Sequence, residues 1–411
     1  MVEPNAAKRQ QWILLSNGLA QLAVIAVAII KPWDWHNEFM TLAPIGRDFI
    51  NFWAGGHLAL AGKTDILVDL IGYNHLLIEA FQRRPDEWFI FSYPPHALLF
   101  LVPFGAIHHL PSVLVWTALN LFCIERTVRL LSAERSLALL ACLSPAVLMM
   151  VAFGHFSGAL AYATTYILVR GHERPAIGGV LLALMTVKPQ LAAVFGLFLL
   201  FTGYWRVVLF SVPATLVLLA ASVLAFGIKP WVNFLEWTVP LHNKLIADFY
   251  YGSLLVVVSV YIGARLIGLP GWAANGVQAA FSLVVLTQAI RLFNRRGPDA
   301  CAIAIAVFAV IAALPYFNCY DLAIFAPAMT VALFGRGRGE NVPFLPLVPA
   351  LLLWLAPMYA IPFGILGWPI VHPVIAGVLL YLLYRHGRTE ADRAAGGRAR
   401  PAHPPQPASA A

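Results

Sequence analysis

Apolar runs follow one another through this chain with almost no charge between them, and nothing restricts its fold more. Hydrophobic residues fill 60% of the 411 positions and charged residues 11%, with a mean hydropathy of +0.77. A soluble domain carries roughly 25% charged residues, so a soluble fold of this length could not hide so much apolar surface. The chain reads as an integral membrane protein, all-α and polytopic. A helix satisfies its backbone groups internally, and about 20 apolar residues suffice to cross the hydrocarbon core.

The net charge of +8 belongs to membrane topology. Arg and Lys stand at the ends of apolar runs and in the tail, as a positive-inside bias requires. They form no basic face interleaved with aromatics, so nucleic acid is not an expected partner. Cys123, Cys142, Cys301 and Cys319 lie in or beside apolar runs without a CxxC pair, which argues against disulfides and against a zinc site. No carboxylate pair has metal spacing, and neither a metal nor another cofactor is required.

The run 12–30 follows Lys8-Arg9 and is expected to be an uncleaved first span with a cytoplasmic N-terminus. Thirteen further runs follow it. The runs 97–107 and 253–268 are read as partial or re-entrant, the first because Pro94, Pro95 and Pro103 break it, the second because it carries Arg265. Placing the arginine clusters on one side then predicts about twelve spans with both termini inside. The expected organisation is a single membrane domain over 1–386 and a disordered cytoplasmic tail over 387–411, rich in Ala, Pro, Gly and Arg.

On this topology two polar loops, 31–95 and 227–253, share the outer side with the corners Gly154-His155, Lys188-Pro189-Gln190 and Tyr316–Asp321. One external polar cavity is therefore expected. The first loop holds eight of the nineteen acids, among them Asp48, Asp65 and Asp69.

Each candidate in this cavity has a functional and a plainer reading. Asp48, followed by Phe49, Phe52 and Trp53, suits a general base in a low dielectric, or it caps a short interfacial helix. Tyr93-Pro94-Pro95-His96 opens a helix, and His96 is either a cavity ligand or a satisfied interfacial histidine. Lys188 is a cation for a phosphate or a snorkelling side chain. Arg265 is a bidentate phosphate clamp or an ordinary flank. Asp321 lies within an apolar run and is functional or a first-turn acid. His155 is a cavity donor or a helix-start residue, while Glu125 beside Arg126 and Arg129 is a flank.

In order, these segments resemble glycosyltransferase family 87, the polyprenol-phosphate-mannose-dependent mannosyltransferases of the GT-C membrane architecture. The likeness rests on Asp48-Phe49, Trp53-Ala54-Gly55, Leu58-Ala59-Leu60-Ala61-Gly62, Asp69, Tyr93-Pro94-Pro95, Ser144-Pro145, Lys188-Pro189-Gln190 and Tyr320-Asp321. It departs at Gly154-His155, where the family has Gly-Gln, and at Gly252-Ser253, a reduced Gly-Asn-Gln-Ser element. The resemblance implies a GT-C-type fold with re-entrant or amphipathic helices in the first external loop, and Asp48 as catalytic base. Lys188, Arg265, His96 and Tyr93 would meet the donor phosphate or lipid, and Asp69, His155, Gln190 and Asp321 would line the cavity. The implied donor is a polyprenyl-phosphate-linked hexose, mannose by resemblance, and the acceptor a glycolipid or polysaccharide. The implied place is the inner membrane, with membrane lipids as surroundings and the site facing the periplasm or exterior.

Two other readings stand beside this one. A transporter or flippase of lipid-linked sugars would also keep charge at membrane depth, but it has little use for a long loop with an aspartate motif and often shows inverted repeats, absent here. A scaffold that keeps the fold without activity is the third, and intact Asp48 argues against it.

Overall fold

A computed structural model describes residues 46–81, 89–248, 256–335 and 345–398. The expected first span, the start of the first loop, Gly252-Ser253 and the end of the tail lie outside these residues. Among the described residues the architecture is helical, with one isolated antiparallel bridge between Val257 and Asn318.

The first polar loop folds as α1 (Phe49–Leu60), a 3-10 turn over Thr64–Leu67, and α2 (Leu70–Phe81). Then come α3 (Leu98–Gly105), α4 (His109–Leu131), α5 (Arg135–Cys142) and α6 (Pro145–Phe153). The next four are α7 (Ser157–Arg170), α8 (Pro175–Leu184), α9 (Pro189–Phe201) and α10 (Trp205–Phe226). The second polar loop forms α11 (Lys229–Asn233), a π turn and α12 (Val239–Ala247). After α13 (Val260–Leu266) the chain ends in α14 (Gly271–Arg296), α15 (Ala300–Ala312), α16 (Ala326–Phe334), α17 (Leu347–Ile365) and α18 (Val371–Arg398).

Proline and capping residues punctuate the apolar sequence. Pro145, Pro175 and Pro189 occupy first helical turns, where the missing N–H would be unbonded anyway. Ser144, Ser259 and Asp299 accept backbone N–H groups at the starts of α6, α13 and α15.

These breaks explain why the described residues do not confirm about twelve spans. By length and composition only α10 and α14 are sufficient among them, or four units if each bent pair counts once. The pair 95–105 and 109–131 turns through 117°, and α5 with α6 through 53°. Several apolar runs are instead short helices packed on one another. In α15 every residue from Cys301 to Ala312 is buried, the mark of a core helix apolar on all sides. By contrast α10 exposes Val217 and Leu224, the second at 87%. Hydropathy does not separate these two environments.

Among the described residues, runs 97–107 and 253–268 contain the eight-residue α3 and the seven-residue α13, each too short by itself to cross a membrane. Past the expected tail boundary at 387, α18 continues to Arg398. The Ala, Arg and Glu content of this stretch favours helix.

Two close backbone approaches position the first loop. Gly56 of α1 faces Gly105 of α3 with no room for a Cβ on either. Gly154 ends α6 in the left-handed region at φ +69°, and a Cβ there would lie 2.7 Å from Gly46 Cα and Phe49 Cβ. This contact lets the Gly46 N–H reach Ala152 O at 3.1 Å and the Asp48 N–H reach Phe153 O at 2.7 Å.

Candidate functional site

Docking on the end of α6 places Asp48 two residues from His155 through the Phe153 carbonyl. Asp48 stands at the N-cap of α1, yet its side chain makes no capping bond. Its carboxylate lies 3.4 Å from Arg47 Nη1 and keeps 20% exposure. The capping alternative thus fails locally, and a partly open carboxylate remains at the edge of an aromatic wall. Phe49, Phe52, Trp116, Phe156 and Tyr93 pack edge-on or tilted around this corner. The Trp116 indole N–H donates to Gly154 O at 2.9 Å and holds the corner from behind.

The polar centre joins four distant segments. Lys188, between a 3-10 turn over Met185–Val187 and α9, donates from Nζ to Asp321 Oδ1 at 2.5 Å. Both side chains are largely buried, at 12% and 5% exposure. Asp321 lies in the 3-10 helix Cys319–Ile324, and its Oδ2 accepts the Asn318 N–H at 3.1 Å. Ser157 at the start of α7 donates to Asp321 Oδ1 at 3.1 Å. His155 Nδ1 lies 3.0 Å from Ser157 Oγ, and its Nε2 lies 3.3 Å from the Tyr93 hydroxyl. The imidazole is stacked between Phe156 and Tyr320, each 4.4 Å away by ring centres.

Electrostatics follows from this burial. His155 lies 3.9 Å from Asp321, yet burial first and the Lys188 charge second lower its pKa well below the usual value, so it stays neutral. Burial, then Asp48, then Asp321 raise the Tyr93 phenol. The same causes in the same order push Tyr316 up to about 12. Both phenols therefore stand within the fields of two carboxylates, Asp48 and Asp321.

His96 occupies an adjoining layer. It is buried, its Nε2 lies 3.1 Å from Thr186 Oγ1, and its ring stacks on Trp231 of α11 at 5.7 Å. The second polar loop is thereby packed on the first, and Lys229 reinforces the contact by reaching Asp65 at 2.7 Å.

The structure brings together Asp48, Tyr93, His155, Lys188 and Asp321, but not the remaining candidates. Asp69 is exposed and caps α2 by accepting the Gly72 N–H at 3.1 Å. Gln190 is exposed in the first turn of α9. Arg265 points its guanidinium at Leu269 O and Ala247 O, each 3.4 Å away, and ties α13 to the end of α12. Glu125 pairs with Arg129 at 2.7 Å along α4, as a flank does.

Ser157 escaped the sequence reading. A serine opening an apolar helix looks like a local cap, and its partner Asp321 is 164 positions away. Asn318 carried a usable signal, since it lies in the polar break before Asp321.

Among the described residues no three His, Cys, Asp or Glu side chains are placed to hold a metal ion. A separate hollow between α14 and α18 is lined by Gln288, Arg291, Leu292, Arg295, Leu383 and Gly387. It contains no carboxylate to serve as a base and lies at the end of α14 away from Tyr316.

The family model for glycosyltransferase family 87 matches residues 91–335, well over half of the chain. The matched span holds Tyr93, His155, Lys188 and Asp321 and begins after Asp48. No curated protein and no solved structure matches the chain.

Proposed function

Because the chain belongs to glycosyltransferase family 87, a group of membrane glycosyltransferases, we propose a specific transfer reaction for it. A hexose, mannose in our reading, moves from a polyprenyl-phosphate donor to a glycolipid or polysaccharide acceptor with inversion at the anomeric carbon. The reaction takes place at the outer face of the inner membrane.

The observation that carries this reading is the pairing of a partly open carboxylate, Asp48, with a buried cation, Lys188, around one aromatic corner. Asp48 takes the proton of the acceptor hydroxyl as that oxygen attacks the anomeric carbon. The bond from this carbon to the phosphate oxygen breaks, and the phosphate leaves with the electron pair. Lys188 lies in a low-dielectric setting where a cation stabilises developing negative charge most strongly. Phe156 and Tyr320, whose ring centres lie 5.6 and 5.8 Å from Lys188 Nζ, keep water from that charge. Arg265, held at Leu269 O and Ala247 O, and His96, bonded to Thr186, remain candidates for the lipid end of the donor. Nothing in the fold or the comparisons favours transport.

The test is sugar transfer in nanodiscs from radiolabelled polyprenyl-phosphate-mannose to a membrane-lipid extract. Asp48→Asn is expected to lose about 10²–10⁴-fold in rate, the usual contribution of a general base. Its thermal unfolding should match wild type. Equal rates in the two proteins would remove Asp48 from the mechanism.

A further inference from the structure

Counting hydrogens gives a direction to the bonds that link Tyr93 to Lys188. The Ser157 hydroxyl has one hydrogen and donates it to Asp321 Oδ1 at 3.1 Å. Towards His155, 3.0 Å away, Ser157 Oγ can then only accept, so the imidazole proton is on Nδ1. Neutral His155 therefore presents a lone pair at Nε2, and the Tyr93 hydroxyl 3.3 Å away donates to it. Every hydrogen in the series points towards Asp321. The Tyr93 oxygen keeps its lone pairs for whatever stands before it, and Tyr93 packs on Phe52, one turn after Asp48, at 5.0 Å.

Lys188 poses a problem that this wiring solves. Its ammonium is already held by Asp321, so it cannot serve a departing phosphate without leaving a carboxylate that is only 5% exposed. A buried carboxylate stripped of its cation relieves the cost by taking a proton.

We propose that Tyr93, His155 and Ser157 pass the proton removed from the acceptor on to Asp321, and that this frees Lys188 for the leaving phosphate. The inference rests on the glycosyltransferase reading above. Protonated Asp48 gives its proton to the Tyr93 oxygen, and the phenolic proton goes to His155 Nε2. The Nδ1 proton goes to Ser157 Oγ, and the serine proton to Asp321 Oδ1. One proton moves in net, one glycosyl–phosphate bond breaks and one glycosyl–acceptor bond forms. When the polyprenyl phosphate departs, Lys188 returns to Asp321 and the proton retraces the path, leaving through Asp48. His155 and Ser157 touch no substrate and act as positioning residues for the two groups that do.

The decisive variant is His155→Gln, whose amide can still accept from Tyr93 and donate to Ser157 but cannot relay a proton. The relay predicts a fall in kcat of about 10²-fold with KM nearly unchanged. In an Asp321→Asn background the path has no terminus, so adding His155→Gln should cost nothing further. Full kcat in the single variant, or the same fractional loss in both backgrounds, would overturn the proposal. A readout without turnover is the nitrogen-15 spectrum of histidine-labelled wild type, with His155 assigned by its disappearance in His155→Gln. A neutral ring protonated on Nδ1 supports the wiring, whereas an Nε2–H ring or an imidazolium refutes it. If wild type transfers no sugar, the functional reading fails and the catalytic task of the relay with it. The spectrum still decides whether the wire exists.

Discussion

Two lysine–aspartate pairs join distant parts of this chain, and they teach opposite lessons. Lys188 and Asp321 meet at 2.5 Å inside the protein, with side chains 12% and 5% exposed. Lys229 and Asp65 meet at 2.7 Å between the two polar loops, with side chains 68% and 59% exposed. The geometry is nearly the same, so solvent access must make the difference. Water and salt screen the outer pair to a fraction of its Coulomb energy, whereas the inner pair cannot be separated without stranding a charge unless Asp321 is protonated at the same time.

The largest effect is expected from breaking the inner pair on one side only. Lys188→Met leaves the Asp321 carboxylate buried beside Ser157 and Asn318, and should cost about 3–5 kcal/mol of stability. Unfolding followed by intrinsic fluorescence in detergent would report it. Lys188→Met with Asp321→Asn removes both charges and should recover much of that loss. If the single variant unfolds no earlier than wild type, the inner pair is no more consequential than the outer one.

The comparison also marks how far the residues alone could be read. Lys188, His155 and Asp321 were legible because each is polar where its neighbours are apolar, a local contrast. Their mutual contact was not, since 133 positions separate Lys188 from Asp321 and no local rule spans that distance. Asp69 and Gln190 show the same limit from the other side. Both lie in segments that carry the resemblance to the family, and both are exposed once folded. The span count is not confirmed by the described residues for a different reason: Ala300–Ala312 is as apolar as a membrane helix but buried along its length, so hydropathy alone does not tell a span from a core helix.

An intermediate effect is expected from disturbing how Asp48 is placed relative to the inner pair. Gly154→Ala puts a side chain in the left-handed region at φ +69° and against Gly46 and Phe49. The strain amounts to about 1–3 kcal/mol, and the structure can relieve it by letting residues 46–48 lift off the end of α6. Sugar transfer should then fall more than stability does, because Asp48 loses its position while Lys188–Asp321 stays intact. Loss of stability with an unchanged rate per folded molecule would mean that the Gly154 contact does not position Asp48.

The smallest effect should come from the outer pair. Lys229→Ala is expected to cost less than about 1 kcal/mol, and the loss should shrink further as salt is raised. A neighbouring contact supports the same junction without it: Trp231 stacks on His96, and its indole N–H is held by Ser222 of α10 at 2.9 Å. Unfolding curves of Lys229→Ala at low and high ionic strength would sharpen the contrast with Lys188→Met, whose deficit should survive added salt because the stranded charge is out of its reach. A large, salt-resistant loss at Lys229 would instead mean that membrane lipid covers the junction between the two loops and that the outer pair, too, is shielded from water.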